Sequence, residues 1–271
     1  MTVNRREFLQ IGSAITLSSA IASGAAKPLL GLIHPPKDVR VPDEATRLYG
    51  SRVQFKMYGL DLSSITSTGF DAVIDKLTPA AVELKGAGAN GIVLFGTSLT
   101  FYKGRKYNEE LIESARKATG LPTTSMSSAV IDGLKAAGAR RIAVATAYDD
   151  NLNTRLRTFL LEHEFVVQEL EGLGITSISG PKAVPQAELQ EFCAGVYRKA
   201  LKKADALLIS CGGLLTLDII EPLEKICKVP VVSSTPHALW AGVQLVGVNS
   251  KVKGFGKVIA KKQIPRNLQN R

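Results

Sequence analysis

Short apolar runs recur along this chain, each ending in small residues that carry a hydroxyl or a thiol. "NGIVLFGTS" spans Asn90–Ser98, "RIAVATAY" spans Arg141–Tyr148 and "DALLISCGG" spans Asp205–Gly213. Continuous apolar runs of this length read as strands buried on both faces. Predicted strands are Leu29–Ile33, Gly91–Phe95, Arg141–Thr146, Ala206–Ser210 and Val229–Ser233. Between them lie amphipathic stretches, predicted as helices at Gly69–Gly86, Asn108–Thr119, Ser127–Ala137, Asn151–Glu164, Gln186–Lys203 and Thr216–Lys228. Strand and helix in alternation specify an α/β protein with mainly parallel sheets covered by helices.

The alternation runs twice. "NGIVLFGTS" matches "DALLISCGG" in kind, and "LPTTSMSSAVIDGLKAAG" matches "VPVVSSTPHALWAGVQLVG". "LLGLIHPP" at Leu29 pairs in the same way with "RIAVATAYDD" at Arg141. The reading is two pseudo-symmetric lobes: 27–120 with 232–256 as the first, 121–231 as the second, and 257–271 as a basic tail. Open α/β sheets bind ligands at the carboxyl ends of their strands. Two facing lobes would therefore gather "HPP", "GTS", "TAY" and "SCGG" around one cleft, the expected active site.

Bulk properties remove several classes of function. The net charge is +10, but seven of the Lys and Arg residues fall between Lys251 and Arg271, with no acid among them. Phe255 is the only aromatic there, whereas single-stranded nucleic-acid binding interleaves aromatics with basic residues. A solvated tail is expected, with no nucleic-acid partner. Cys193, Cys211 and Cys227 show no paired spacing, and His34, His163 and His237 are scattered. Neither a zinc site nor another metal is expected. "NRREFLQIGSAITLSSAIASGAAKP" at the front has the order of a twin-arginine export signal: Arg5-Arg6, Phe8-Leu9, a mildly apolar stretch, then small residues. Residues 1–26 are read as that address, giving a periplasmic or exported protein, or a cytoplasmic one if the signal does not work. The stretch is too short and polar for stable membrane insertion.

The strand ends carry neutral donors. Thr97 and Ser98 offer hydroxyls and backbone N–H groups, Tyr148 offers a phenol, and Cys211, Gly212 and Gly213 offer a thiol and unhindered N–H groups. Such donors suit a carboxylate or a developing enolate oxygen. Each also has a plainer role: Cys211 as a small buried apolar residue, "GTS" as a helix cap, Tyr148 as a half-buried rim residue. "LLTLD" after the glycines is expected to begin a helix. A thiol at a helix start is acidified, whereas one shielded from water and lacking a cation stays protonated.

"GTSLTFYKG" (Gly96–Gly104), "ATAYDD" (Ala145–Asp150) and "SCGGLLTLD" (Ser210–Asp218), with "VPDEATRLY" and "ATGLPTTSMSSAV", resemble the arylmalonate decarboxylases. That family lies within the wider aspartate/glutamate racemase and maleate isomerase superfamily, and the likeness runs from about Leu29 to Gly256. The resemblance implies a reaction without metal or organic cofactor on a small-molecule dicarboxylate, in a monomer or small homo-oligomer. One carboxylate of a disubstituted malonate would be held by Thr97, Ser98, Tyr148 and Gly212, with the Cys211 N–H. The other would be lost from an apolar pocket at positions matching Pro35, Leu62, Ile65, Phe70, Gly96 and Ile178. Cys211 would then protonate the enediolate. Racemases and isomerases of the superfamily carry a second cysteine where this chain has Gly96. Phe70 replaces a frequent Tyr of the family, and a Met-like filler is replaced near Pro181. Two other readings remain at this stage: a racemase or cis-trans isomerase of a small dicarboxylate or amino acid, and an exported carboxylate-binding protein.

Overall fold

The computed structural model describes residues 26–37, 40–201 and 203–261. Residues 1–25 of the segment expected to be an export signal, and residues 262–271 of the expected basic tail, lie outside the described residues. The chain forms two four-stranded sheets in which every strand pair is parallel. The first comprises β1 (Leu29–His34), β2 (Gln54–Gly59), β3 (Gly91–Leu94) and β4 (Thr123–Ser125), in the order β2-β1-β3-β4. The second comprises β5 (Arg141–Thr146), β6 (Val166–Gly172), β7 (Ala206–Ser210) and β8 (Val231–Ser233), in the order β6-β5-β7-β8. The two orders are the same, as the repeat requires.

Helices join the strands. In the first half they are α1 (Asp43–Tyr49), α2 (Ser67–Val73), α3 (Leu77–Gly86), α4 (Thr97–Phe101) and α5 (Gly104–Thr119). They are followed by α6 (Met126–Ala137), α7 (Asp150–Glu162), α8 (Gly180–Ala183), α9 (Gln186–Lys199), α10 (Ile220–Cys227) and α11 (Ser234–Leu245). Ser125 caps α6 by accepting from the Ser128 N–H, and Asp149 caps α7 by accepting from Leu152 N–H at 2.9 Å. The acid next to Tyr148 is thus a cap.

The lobes exchange a helix. α6 leaves the first sheet, yet Gly133 on it lies so close to Val232 of β8 that a Cβ would come within 3.0 Å. α11 leaves the second sheet, and Gly242 on it lies against Val93 and Leu30 of the first, at 2.6 and 2.9 Å by the same measure. The boundary expected at 121 therefore shifts, because β4 pairs with β3 and the first sheet runs to Ser125. The basic tail also begins later than 257. Val258 and Ile259 are buried, and the Trp240 indole donates to the Lys261 carbonyl at 3.1 Å.

Strands β2, β4 and β6 and helices α1, α4, α8 and α11 go beyond the predicted elements. β2 and β6 have no fully buried run, and their burial patterns are mixed and intermediate. The helix expected from Thr216 starts only at Ile220. In between, Leu217 N–H donates to Glu44 Oε1 at 3.2 Å and Thr216 Oγ1 is bonded to Ser233 Oγ, so residues 211–219 stay irregular. "LLTLD" is a pinned loop, and Cys211 does not open a helix.

Gly172 ends β6 against the backbone of the site. A Cβ there would meet the Tyr148 carbonyl at 2.1 Å and Asn153 Nδ2 at 2.4 Å. Gly172→Ala is expected to lower stability by about 1–3 kcal/mol, read as a lower urea midpoint. An unchanged midpoint would show that β6 yields freely.

Candidate active site

Four strand ends meet where the sheets face each other. Gly96 follows β3 and leads into α4, placing Thr97 and Ser98 in its first turn. Tyr148 follows β5, and Cys211 follows β7. Ser234 opens α11 directly after β8. Thr97 Oγ1 donates to Ser234 Oγ at 2.8 Å, and the Cys211 N–H donates to the same oxygen at 3.1 Å. The Tyr148 hydroxyl is bonded to Ser210 Oγ at 3.3 Å and lies within hydrogen-bonding influence of Thr97 and Ser98. The structure therefore brings Thr97, Ser98, Tyr148 and Cys211 together from both lobes.

The site is dry. Cys211 is only 6% exposed, and Tyr148 and Thr97 are also buried. Burial pushes the Cys211 thiol up to about 11, against the opposing pull of the Gly213 and Leu214 backbone N–H groups. Burial, and then a neighbouring Cys211 charge, holds the Tyr148 phenol above its ordinary range. At neutral pH both groups keep their protons, so the thiol is an acid and the phenol a donor.

The walls are close-fitting. A Cβ on Gly96 would come within 2.4 Å of Pro35 Cγ, so a larger residue at 96 requires the Pro35 ring to move. Gly212 faces Met126, whose sulfur would lie 3.2 Å from an added Cβ, and Gly213 faces Pro181 at 3.0 Å. Pro35 also accepts from Leu62 N–H at 2.8 Å, and Ile65 N–H donates to the Thr176 carbonyl of the second lobe at 2.8 Å. Leu62 and Ile65 are buried, while Ile178 is half-buried two residues beyond Thr176. Phe70 is fully buried and packs on Tyr102, with ring centroids 5.1 Å apart. His34, in "HPP", sets its ring edge-on to Phe95.

The loop that carries Cys211 is held from the other lobe. Glu44 on α1 accepts the Leu217 N–H, and Arg47 grips Asp218 through two bonds of 2.9 and 2.6 Å. Burial pushes the Glu44 carboxyl up to about 7, although the Leu217 and Thr216 N–H groups and Arg47 pull it down. Ser234, Ser210, Met126 and Glu44 are absent from the sequence-based site. "SSTP" carried a signal for Ser234, since its hydroxyls follow a strand as those of "GTS" do. Cys193 and Cys227 are buried on α9 and α10 as packing residues. Burial raises both thiols, to about 12 and about 11, and a charge on Cys227 would raise Cys193 further. Among the described residues, no three His, Cys, Asp or Glu side chains group as a metal site requires.

This is the architecture of the two-lobed α/β proteins that include the maleate isomerases. The maleate isomerase of Pseudomonas putida S16 superposes with a TM-score of 0.79 at 20% identity, over 86% of this chain and 98% of that one. The family model for arylmalonate decarboxylase matches residues 30–259. The arylmalonate decarboxylase of Bordetella bronchiseptica is 43% identical over 235 residues, covering 86% of this chain and 97% of that protein. A liganded Gly-to-Cys, Cys-to-Ser double mutant of arylmalonate decarboxylase superposes with a TM-score of 0.83 at 42% identity, over 86% and 98% of the two chains. The chain belongs to the arylmalonate decarboxylase family, and is thereby a carboxy-lyase.

Proposed function

We propose that this enzyme decarboxylates a disubstituted malonate bearing an aryl or alkenyl group, using no cofactor and one proton-donating cysteine. The observation that carries the reading is a buried Cys211, its thiol raised by burial, beside a cluster of neutral donors, in a chain with glycine rather than a second cysteine at position 96. Thr97, Ser98, Tyr148 and Gly212 hold one carboxylate. The second carboxylate lies among Pro35, Leu62, Ile65, Phe70 and Ile178, where its charge is poorly solvated. Its carbon–carbon bond breaks, carbon dioxide leaves, and the electron pair passes into an enediolate on the retained carboxylate. The donors around that carboxylate strengthen as charge grows on its oxygens. Cys211 gives its proton to the α-carbon, and its thiolate takes a proton back from water after product leaves. One thiol protonates one face, so the product is a single enantiomer.

Incubation with α-methyl-α-phenylmalonate in deuterium oxide tests this. The expected result is release of carbon dioxide and an enantioenriched monocarboxylic acid with one deuterium at the α-carbon. Racemic product, or deuterium exchange at the α-carbon of added 2-phenylpropionate without turnover of the malonate, would favour the racemase or isomerase reading. Tight binding without turnover would favour a carboxylate-binding protein.

A further inference from the structure

One oxygen ties together two donors that come from different lobes. Ser234 Oγ is fully buried and accepts from the Thr97 hydroxyl at 2.8 Å and from the Cys211 N–H at 3.1 Å. A hydroxyl has two acceptor sites and one proton. Both acceptor sites of Ser234 are filled. Thr97 likewise has a single proton, now directed at Ser234. If a carboxylate binds at Thr97, that proton must turn toward it. The Thr97 oxygen can then accept, and with the Tyr148 proton given to the same carboxylate the donor left in reach is the hydroxyl of Ser234. The resulting chain, Ser234 to Thr97 to carboxylate, polarises in one direction and strengthens its last link. The Cys211 N–H stays on Ser234 throughout.

We propose that Ser234 is a positioning residue whose hydroxyl reverses its bond to Thr97 when carboxylate binds and keeps the Cys211 backbone in register with Thr97. The proposal rests on the carboxylate-binding role of Thr97. It also accounts for the Cys211 N–H: that group is committed to Ser234, leaving Gly212 as the backbone donor in the loop. The bonds bridge chain positions 137 and 23 residues apart, so no local turn would set this spacing if the serine were lost.

The test compares full-length wild type, Ser234→Ala, Ser234→Thr and Thr97→Val in two assays. The first is alkylation of Cys211 by iodoacetate and by iodoacetamide, read by peptide mass. Iodoacetate carries a carboxylate and iodoacetamide does not, so their rate ratio reports the carboxylate site without needing turnover. Buried Cys193 and Cys227 serve as folding controls in the same digest. In Ser234→Ala the ratio should fall several-fold with the iodoacetamide rate held, and Ser234→Thr should restore it. Thr97→Val should lower the ratio alike, and adding Ser234→Ala to it should change little, because Ser234 acts through Thr97. The second assay is turnover of α-methyl-α-phenylmalonate, where Ser234→Ala should lower kcat roughly 10- to 100-fold. An unchanged ratio in Ser234→Ala overturns the proposal, as does an equal loss with both reagents. If Ser234→Ala exposes Cys193 or Cys227, the decision passes to Ser234→Thr and Thr97→Val. Near-wild-type behaviour of the first with a lowered ratio in the second supports the proposal, and any other pairing overturns it. If wild type does not turn over the malonate, the decarboxylase reading fails while the ratio still decides the role of Ser234.

Discussion

Cys211→Ala should lower kcat on α-methyl-α-phenylmalonate by roughly 10²–10⁴-fold, the range of a general acid, while leaving the fold and carboxylate binding in place. The fold should survive because the thiol gives up little on truncation. Its N–H bond to Ser234 comes from the backbone, and the loop around it is pinned by Glu44, Arg47 and Ser233. Binding should survive because the donors of Thr97, Ser98, Tyr148 and Gly212 do not pass through the sulfur. Cys211→Ser makes the argument sharper. A buried serine hydroxyl is a far weaker acid than a thiol, even one pushed up to about 11, so serine should rescue little of the loss. The measurement is steady-state turnover together with product inhibition by the matching monocarboxylate. Full activity in Cys211→Ala would remove this residue from the chemistry.

His237 and Glu44 should give the pH dependence of stability opposite slopes. His237 is fully buried and accepts the Ser233 N–H on Nδ1 at 3.0 Å, and its Nε2 has no hydrogen-bond partner. Burial depresses its pKa from 6.5 to about 4, partly offset by the Ser233 carbonyl 2.9 Å from Nδ1, which favours a proton on that nitrogen. The unfolded chain takes up this proton near pH 6.5, and the native one only near 4. The stabilisation from neutral His237 is therefore complete above pH 6.5 and is lost as pH falls toward 4, a change of about 3 kcal/mol. Glu44 runs the other way. Its native carboxyl keeps its proton up to about pH 7, against 4.5 when unfolded. Its contribution is complete below pH 4.5 and is lost as pH rises through 7, again by about 3 kcal/mol. Between about pH 4.5 and 6.5 the two offset each other. Urea midpoints across that window should rise with pH in Glu44→Gln and fall with pH in His237→Gln, each relative to wild type. Glutamine at 44 keeps an acceptor for the Leu217 N–H, so the comparison isolates the charge. If both variants keep the wild-type slope, neither group titrates as its burial requires.

The fold was legible wherever burial made the sequence monotonous. The predicted strands Leu29–Ile33, Gly91–Phe95, Arg141–Thr146 and Ala206–Ser210 all fall on central strands, where apolar residues fill both faces. The edge strands were harder to read. "QFKMYG" and "VVQELEG" place polar residues toward water on their open sides, so they lack a continuous apolar run. α1 spans only seven residues and was overlooked for its length. The site divided along similar lines. Thr97, Ser98, Tyr148 and Cys211, which the structure brings together, were legible as neighbours because each follows closely on a recognisable strand. Ser234 sits in a run of serine and threonine that reads equally well as a helix cap, and only the contact between lobes separates the two roles. Glu44 gave no signal at all, since an acid in the first turn of a short helix is ordinary at a surface. Its burial follows from the Cys211 loop folding over it, a contact between residues 173 apart.

The exchange of α6 and α11 also governs the order in which the molecule can be assembled. The first sheet is complete in sequence by Ser125, but the helix that covers Leu30 and Val93 begins only at Ser234. A growing chain on the ribosome is therefore expected to leave one face of that sheet without its helix for more than a hundred residues of synthesis, although α3 already packs on β1 through Leu84. Contacts this distant in sequence slow folding and expose surfaces that aggregate. Each half packs a helix onto the sheet of the other, so a separately expressed half is expected to expose apolar surface despite the two-fold repeat.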